Sequence, residues 1–263
     1  MSDAILVTRD GALARVTFHR PAVLNAMDFE MGALWRDIAH DITSDDTVGA
    51  VILDAAGPAF CAGGDVIAMA TSGASGADVT RAAHTIHDGI RTFALSDKPI
   101  VAAVQGAVAG GGLGLMLTAD YIVASDAAKF VSRYANIGLT PDLGVSTLLP
   151  AAIGERRALQ LLLQDRAIDA ATALDWGLVA EVVPAAEVGA RAEAVARFWL
   201  DNATGAFGQA KRLVRVGADR TFAENLDDEA ASIGARFDTD ESRVRVAAFA
   251  AASRKSASPT SSA

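Results

Sequence analysis

Glycine-rich segments are the parts of this 263-residue chain whose residue types and spacing could do chemistry. In one of them, Ala109–Gly114, three successive glycines stand directly before an apolar run that is typical of a helix. Unpaired N–H groups at a helix start point outward, and the helix dipole adds positive potential there. This segment could therefore stabilise an oxyanion, or it could only pack a strand tightly against a helix. A nucleotide phosphate loop is disfavoured, because no Gly-Lys-Ser or Gly-Lys-Thr triplet follows.

Two further segments add glycines and carboxylates. The first, Phe60–Asp65, ends in two glycines that let the backbone approach a ligand closely, and Asp65 is expected to cap or tie this loop. The second, Gly138–Gly144, carries Asp142 after a proline, where a carboxylate could act as an acid and base, or could simply belong to a turn. The single cysteine, Cys61, is expected to be a small buried apolar residue.

The elements that must position these segments alternate between strands and helices. The pattern predicts strands at Ile5–Val7, Ala14–Phe18, Val48–Leu53, Ile100–Val104, Tyr121–Ala124 and Lys129–Val131, and helices over Met31–Ile42, Val79–Leu95 and Leu113–Thr118. Such alternation implies an α/β core. The small and polar residues Thr71–Asp78 predict a mobile surface loop.

The chain is expected to fall into two parts. From Ala185 onward the pattern is wholly helical, which predicts a core over residues 1–199 that holds the site. A helical subdomain with a frayed tail would follow over residues 200–263.

Composition excludes several classes of protein. Hydrophobic residues make up 51% of the chain, which excludes intrinsic disorder, and a net charge of −9 argues against broad contact with nucleic acid. Because the chain has one cysteine and four histidines, we expect neither a disulfide framework nor a metal cluster. No signal peptide is visible, and the longest apolar stretch is interrupted by Gln105 and several glycines. We expect a soluble cytoplasmic protein with no membrane segment.

The sequence resembles the crotonase superfamily, the enoyl-CoA hydratase/isomerase proteins. The resemblance is carried in order by Arg20-Pro21 with Asn25-Ala26, Phe60–Asp65, Lys98-Pro99 to Asp120, Phe130–Gly144 and Trp176–Val179. It implies a spiral of ββα units whose C-terminal helices build a homotrimer or a dimer of trimers. It also implies an acyl-CoA thioester substrate and no separate cofactor, since coenzyme A is part of the substrate.

The resemblance assigns roles to individual residues. The backbone N–H groups of Gly64 and Gly111 would form an oxyanion hole for the thioester carbonyl. The remaining substrate-binding positions that it implies are Leu24, Ala26, Ala62, Asp65, Val66, Met69, Gly110, Tyr134 and Pro141. Arg254 and Lys255 are candidates for contact with the phosphates of coenzyme A.

The reaction is indicated by a departure from the hydratase pattern. Hydratases of this family hold water with two glutamates, and this sequence has Gly114 and Tyr134 at those positions. Asp142 instead resembles the single acid/base of the Δ3,Δ2-enoyl-CoA isomerases and especially the phenylacetate-pathway isomerase branch. Asp142 would take a proton from C2 of a 3-enoyl-CoA and return it to C4 of the dienolate, and burial would raise its pKa.

Three alternatives stay open. The protein could be a hydratase in name with weak hydratase activity. It could be a dehalogenase or thioester hydrolase in which Asp142 is the nucleophile, although His84 and His87 are at a spacing typical of the helix surface. It could also bind acyl-CoA without catalysis.

Overall fold

The computed structural model describes residues 3–164 and 166–256, without the side chains of residues 253–256. The strands are β1 (Ile5–Asp10), β2 (Leu13–Phe18), β3 (Ala50–Ala55), β4 (Ile100–Val104), β5 (Ala107–Ala109), β6 (Tyr121–Ser125), β7 (Lys129–Val131), β8 (Ile168–Asp169) and β9 (Glu181–Val183). The helices are α1 (Phe29–Ser44), α2 (Val66–Thr71), α3 (Gly76–Leu95), α4 (Gly111–Leu117), α5 (Val145–Ile153), α6 (Glu155–Gln164), α7 (Ala170–Trp176), α8 (Val188–Asp201), α9 (Thr204–Gly217), α10 (Phe222–Phe237) and α11 (Asp240–Ser256). The expected α/β class with a helical C-terminal region is confirmed.

Two sheets form the frame of the fold. The larger has the order β1-β2-β3-β4-β6-β9, in which β1 and β2 are antiparallel and every later pairing is parallel. The smaller has the order β5-β7-β8. Successive strands such as β4 and β5 enter different sheets, and a helix then leads to the next pair. This arrangement is a spiral of ββα units.

Both faces of the larger sheet are buried. Apolar residues of β2, β3 and β4 on one face pack against α1, α3 and α4, with Trp35 and Phe18 among the largest fully buried side chains. On the other face Leu13, Ile52 and Val101 pack against α8. A parallel sheet needs such cover on both faces, which explains why the strands have almost continuous apolar runs rather than an alternating pattern.

The predicted loop over Thr71–Asp78 is wrong at both ends. Thr71 lies at the end of α2, and α3 begins at Gly76, so only Ser72–Ser75 are outside helices. Ser75 and Asp78 form a capping box, in which each side chain bonds the backbone N–H of the other residue. This local pairing starts α3 three residues before the apolar spacing does.

The C-terminal helices α9, α10 and α11 follow one another after α8. A division of the chain between residues 199 and 200 stays a prediction. The side chains of Arg254 and Lys255 lie outside the described residues. Within the described ranges, no helix combines the length and apolar character that crossing a membrane would require.

Candidate active site

One wall of the site is built from two segments that pair across the fold. Leu24 and Asn25 adopt positive φ angles of 53° and 57°, which turn the chain so that it runs beside the loop after Phe60. The N–H of Ala62 donates to Leu24 O at 3.0 Å, and the N–H of Met27 donates to Gly63 O at 2.8 Å. The predicted residues Leu24, Ala26 and Ala62 are therefore brought together.

Gly64 is held with its N–H directed away from that pairing. The bridge between Met27 and Gly64 is formed by the carbonyl of Gly63 and the N–H of Asp65, which donates to Met27 O at 2.9 Å. In a parallel bridge the central residue's own groups point to the opposite side. Within residues 3–164 and 166–256, the N–H of Gly64 donates to no other group of the protein.

The start of α4 lies against this same loop. Gly110, with a φ of 51°, precedes the helix and donates its N–H to Val131 O at 3.1 Å. A Cβ atom on Gly63 would stand 3.2 Å from the N atom of Gly111. As the first helical residue, Gly111 has no intrahelical acceptor for its N–H. The two N–H groups predicted to form an oxyanion hole thus lie on adjacent loops.

Other glycines of α4 are needed for close packing. A Cβ on Gly112 would lie 2.3 Å from Cys61 O, and one on Gly114 would lie 1.9 Å from Leu143 O. The close-packing alternative offered by the glycine-rich pattern therefore applies to Gly112 and Gly114, while the oxyanion role stays a prediction. Gly110 donates its N–H to Val131 O, Gly111 has no intrahelical acceptor for its N–H, and Gly112 and Gly114 let two backbone segments touch the helix.

The loop that carries Asp142 lies between a 3-10 turn at Ala135–Ile137 and α5. Its carboxylate reaches the start of α4, where Asp142 Oδ1 stands 3.6 Å from the position of a Cβ on Gly111. Leu143 next to it has a φ of 48°, a conformation that residues with a Cβ rarely adopt. The carbonyl of Asp142 accepts from the N–H of Val145 at 3.0 Å, which closes the turn.

Tyr134 fixes the Asp142 carboxyl group. Its hydroxyl donates to Asp142 Oδ1 at 2.6 Å, and its ring is buried. Burial raises the pKa of Asp142 above its ordinary value, while the Tyr134 hydrogen bond and the charge of His87 act in the opposite direction. Burial and the neighbouring carboxylate also raise the pKa of Tyr134, so the phenol stays protonated. Asp142 is also one of the residues that line the neighbouring cavity.

His87 also reaches this loop. The N–H of Leu143 donates to His87 Nε2 at 3.0 Å, across 56 residues of sequence. The interpretation of both histidines as surface residues therefore holds for the exposed His84 and is wrong for the half-buried His87. No local pattern could have indicated this contact, because helical spacing places His87 on α3 but does not say which loop packs there.

A cavity that Gly64 and Asp142 help to line is otherwise mainly apolar. Its volume is about 30 Å³. Its apolar lining comes from Met27, Phe29, Met69, Val79, Ala82, Ala83, Ile86 and Leu143. The one other carboxylate of the described lining, Asp28, is already engaged, because it caps α1 and pairs with Arg20 at 3.0 Å.

Some predicted site residues lie apart from this cavity. Val66 is 42% exposed and is not part of the cavity lining, and Pro141 is half-buried just before Asp142. Asp65 caps α2 through the N–H of Ala68 and pairs with Arg20 at 3.1 Å, in agreement with its expected role as a loop tie.

Cys61 is buried, which raises the pKa of its thiol to about 12. Among the described residues, no cluster of three or more histidine, cysteine or acidic side chains is arranged to hold a metal ion.

Comparison with known proteins bears on what this arrangement does. The family model for enoyl-CoA hydratase/isomerase matches residues 8–256. The chain is 33% identical over 94% of its length to a probable enoyl-CoA hydratase of Mycobacterium bovis, of which it covers 95%. It is 31% identical over 87% of its length to the 1,2-epoxyphenylacetyl-CoA isomerase of Escherichia coli, of which it covers 88%. It is 30% identical over 87% of its length to a 4-chlorobenzoyl coenzyme A dehalogenase of an Arthrobacter species, of which it covers 84%.

Solved structures show the same fold. The crystal structure of an enoyl-CoA hydratase from Bacillus anthracis superposes with a TM-score of 0.88 at 26% identity. The match covers 94% of this chain and 95% of that one.

Proposed function

Because this chain belongs to the enoyl-CoA hydratase/isomerase family and is an acyl-CoA enzyme of that family, we propose that it isomerises 3-enoyl-CoA thioesters to 2-enoyl-CoA thioesters. Asp142 carries the proton in this reaction. The supporting observation is that the Asp142 carboxyl group, held by Tyr134, lies next to Gly111 and lines the same cavity as Gly64.

The proposed reaction needs one base that becomes an acid. Asp142 Oδ2 takes a proton from C2 of the 3-enoyl thioester, and the electron pair of that C–H bond spreads over C2, C4 and the thioester oxygen. The N–H groups of Gly64 and Gly111 donate to this oxygen as its negative charge develops, and each such donor is worth roughly 3–4 kcal/mol of transition-state stabilisation. The same carboxyl group then protonates C4, which leaves the double bond between C2 and C3.

The raised pKa of Asp142 suits this double role. A carboxyl group with an ordinary pKa is a weak base and holds the abstracted proton poorly, whereas a buried one does both better. Only a proton moves between C2 and C4, so the step consumes no redox equivalent or nucleotide, and coenzyme A enters as part of the substrate.

We expect only weak hydration of 2-enoyl thioesters. Adding water requires one group to activate the water and another to protonate C2. Leu143 O occupies the space beside Gly114, and the Tyr134 hydroxyl donates its hydrogen bond to Asp142, so neither position can hold and activate water.

The experiment compares 3-hexenoyl-CoA and crotonyl-CoA as substrates for the wild type and for Asp142→Asn, with the products separated by chromatography. Asparagine keeps an oxygen that can accept from Tyr134 but cannot take up a proton, so isomerisation should fall by roughly 10²–10⁴-fold. Asp126→Asn, which changes a carboxylate outside the cavity lining, is the matched control. Rapid hydration of crotonyl-CoA that survives Asp142→Asn would refute the proposal, and inactivity of the wild type on both thioesters would favour a non-catalytic acyl-CoA binder.

A second candidate is hydrolysis or dehalogenation with Asp142 as the nucleophile. It is favoured by the position of His87 beside the Asp142 loop and by the similarity to the Arthrobacter dehalogenase. It ranks lower because His87 Nε2 already accepts the Leu143 N–H, so this atom would have to lose that bond before it could take a proton from water. Chloride release from 4-chlorobenzoyl-CoA, abolished by His87→Gln, would place this reaction first.

We also propose that the protein acts as a homotrimer or a dimer of trimers. Large apolar side chains are exposed on α9, α10 and α11: Val214, Phe222, Ile233, Phe237, Val244 and Phe249. A surface of this kind is typical of a subunit interface. Light scattering on the eluting protein should give three or six times the chain mass of 27.0 kDa, and a monomer would refute this assembly.

A further inference from the structure

The hydrogen bond from Leu143 to His87 links α3 to the residue next to Asp142. The donor is a backbone N–H, so the acceptor must be the lone pair of Nε2. A neutral imidazole that accepts at Nε2 carries its proton on Nδ1, and a protonated ring has no acceptor left. The bond therefore exists only while His87 is neutral.

The loop needs this bond because its backbone is otherwise disfavoured. Leu143 has a φ of 48°, and Gly144 after it has a φ of 80°. The left-handed conformation at Leu143 costs conformational energy that neighbouring contacts must offset. Packing of Leu143 O against Gly114 fixes the peptide group after Leu143, and His87 fixes the N–H of the peptide group before it.

The charges around His87 come from three elements. Asp142 faces it from the loop and favours the protonated ring, whereas His84 and Arg91 on α3 disfavour it. From α1, Arg36 and His40 lie near α3 but are paired with Asp37 and Asp88. Burial is the largest influence and lowers the pKa of His87, so the ring is neutral at neutral pH.

We propose that His87 is a positioning residue for Asp142, holding the carboxylate in line with the oxyanion-hole N–H groups through the Leu143 N–H. This inference rests on the proposed isomerase function. Protonation of His87 releases the loop, so isomerisation below neutral pH depends on two groups, Asp142 as the base and His87 as the acceptor.

Three variants separate positioning from mere packing. His87→Gln supplies an amide oxygen that can accept the Leu143 N–H but does not titrate. His87→Leu fills similar space without an acceptor. His84→Gln, on the exposed neighbour, is the control. At pH 8 we expect kcat close to that of the wild type for His87→Gln and His84→Gln, and roughly 10–100-fold lower for His87→Leu with little change in KM.

The pH profile provides the second readout. Below neutral pH, log kcat of the wild type and of His84→Gln should fall more steeply than that of His87→Gln, which retains only the ionisation of Asp142. A wild-type profile in His87→Gln, or an undiminished kcat in His87→Leu, would overturn the inference.

A third readout is independent of activity. Nitrogen NMR of the histidine rings should show His87 with its proton on Nδ1 and titrating below an ordinary histidine. An Nε2-protonated ring would overturn the inference even if His87→Leu failed to fold. Failure of the proposed function is distinguishable, because it would appear as a wild type inactive on 3-hexenoyl-CoA or as activity that survives Asp142→Asn, with the NMR result unaffected.

Discussion

The buried Tyr134 hydroxyl donates a hydrogen bond of 2.6 Å to Asp142, and each group shifts the pKa of the other. Burial raises the pKa of Asp142, and the Tyr134 hydroxyl partly offsets this by stabilising the carboxylate. The hydroxyl therefore does two things at the residue scale. It fixes the direction of Oδ2, and it keeps the base ionised at lower pH than burial alone would allow.

Tyr134→Phe should move the acidic limb of the isomerase pH profile to higher pH. The variant removes a hydrogen bond that lowers the pKa of Asp142, so this pKa rises further, and the base must be deprotonated to act. The pH dependence of kcat/KM measures the shift. Tyr121→Phe is a matched control, because the chain's other tyrosine bonds Glu181 at 2.5 Å, a residue outside the cavity lining. A limb that stays in place, or moves to lower pH, would contradict this account.

The residue types of the candidate site could be chosen from the sequence, but their contacts could not. Glycine spacing indicated the helix start at Gly111, the resemblance to the crotonase superfamily added Gly64 and Asp142, and the structure brings these three together. The Tyr134 bond and the His87 bond depend on how a loop packs against a helix. No periodicity records that packing, because the partners are on different elements.

At the scale of elements, α4 shows how a short glycine-rich helix can serve as a packing surface. Its residue Gly114 meets Leu143 O, which belongs to the Asp142 loop. The absence of a side chain at Gly114 is thus what lets the loop approach the helix start. The position of Asp142 therefore depends on the glycine at position 114.

Gly114→Ala should destabilise the protein and reduce isomerisation together. Its Cβ would lie 1.9 Å from Leu143 O, which is backbone and can yield only if the loop shifts. We expect a loss of about 3 kcal/mol in the free energy of unfolding, measured in urea. Gly234→Ala in α10 is the control, since a Cβ there meets nothing and alanine favours a helix by about 1 kcal/mol. Equal stability of the two variants would show that the loop adapts freely.

Element type was largely predictable, whereas element ends were not. The strands Ile100–Val104 and Lys129–Val131 have the predicted bounds, and the first of them is a continuous buried apolar run. The helix predicted from Val79 begins at Gly76, since polar caps rather than apolar spacing decide where a helix starts. The short strands β5, β8 and β9, of two or three residues each, are not predicted from the sequence.

On the scale of the whole molecule, a buried lysine joins the C-terminal helices to the core. Lys211 on α9 donates to Phe93 O at 2.8 Å and to Lys98 O at 2.7 Å, and it pairs with Asp120 at 3.1 Å. A Cβ on Gly208 one turn earlier would lie 2.0 Å from Asp97 O, so the helix backbone touches the chain just before β4. If the C-terminal helices form a separate subdomain, as the sequence predicts, these polar contacts attach that subdomain to the core.

Lys211→Met should weaken the whole fold by about 3 kcal/mol, because it leaves buried carbonyl oxygens without a donor and removes a partner of Asp120. Urea unfolding followed by circular dichroism measures the loss. Lys129→Met, at an exposed lysine, should change stability by no more than about 0.5 kcal/mol. Similar losses in both variants would mean that the attachment through Lys211 contributes little.

The lowered pKa of Lys211 makes the stability difference between the wild type and Lys211→Met depend on pH, and it also sets the direction of that dependence. Burial lowers the pKa of Lys211 from its ordinary 10.5 to about 8, so between these values the unfolded chain holds a proton that the folded protein has released. Stability rises with pH wherever the unfolded state binds more protons. The advantage of the wild type over Lys211→Met should therefore grow from pH 8 to pH 10, while groups common to both proteins cancel. An advantage that shrinks over this range would mean that Asp120 outweighs burial and holds Lys211 charged.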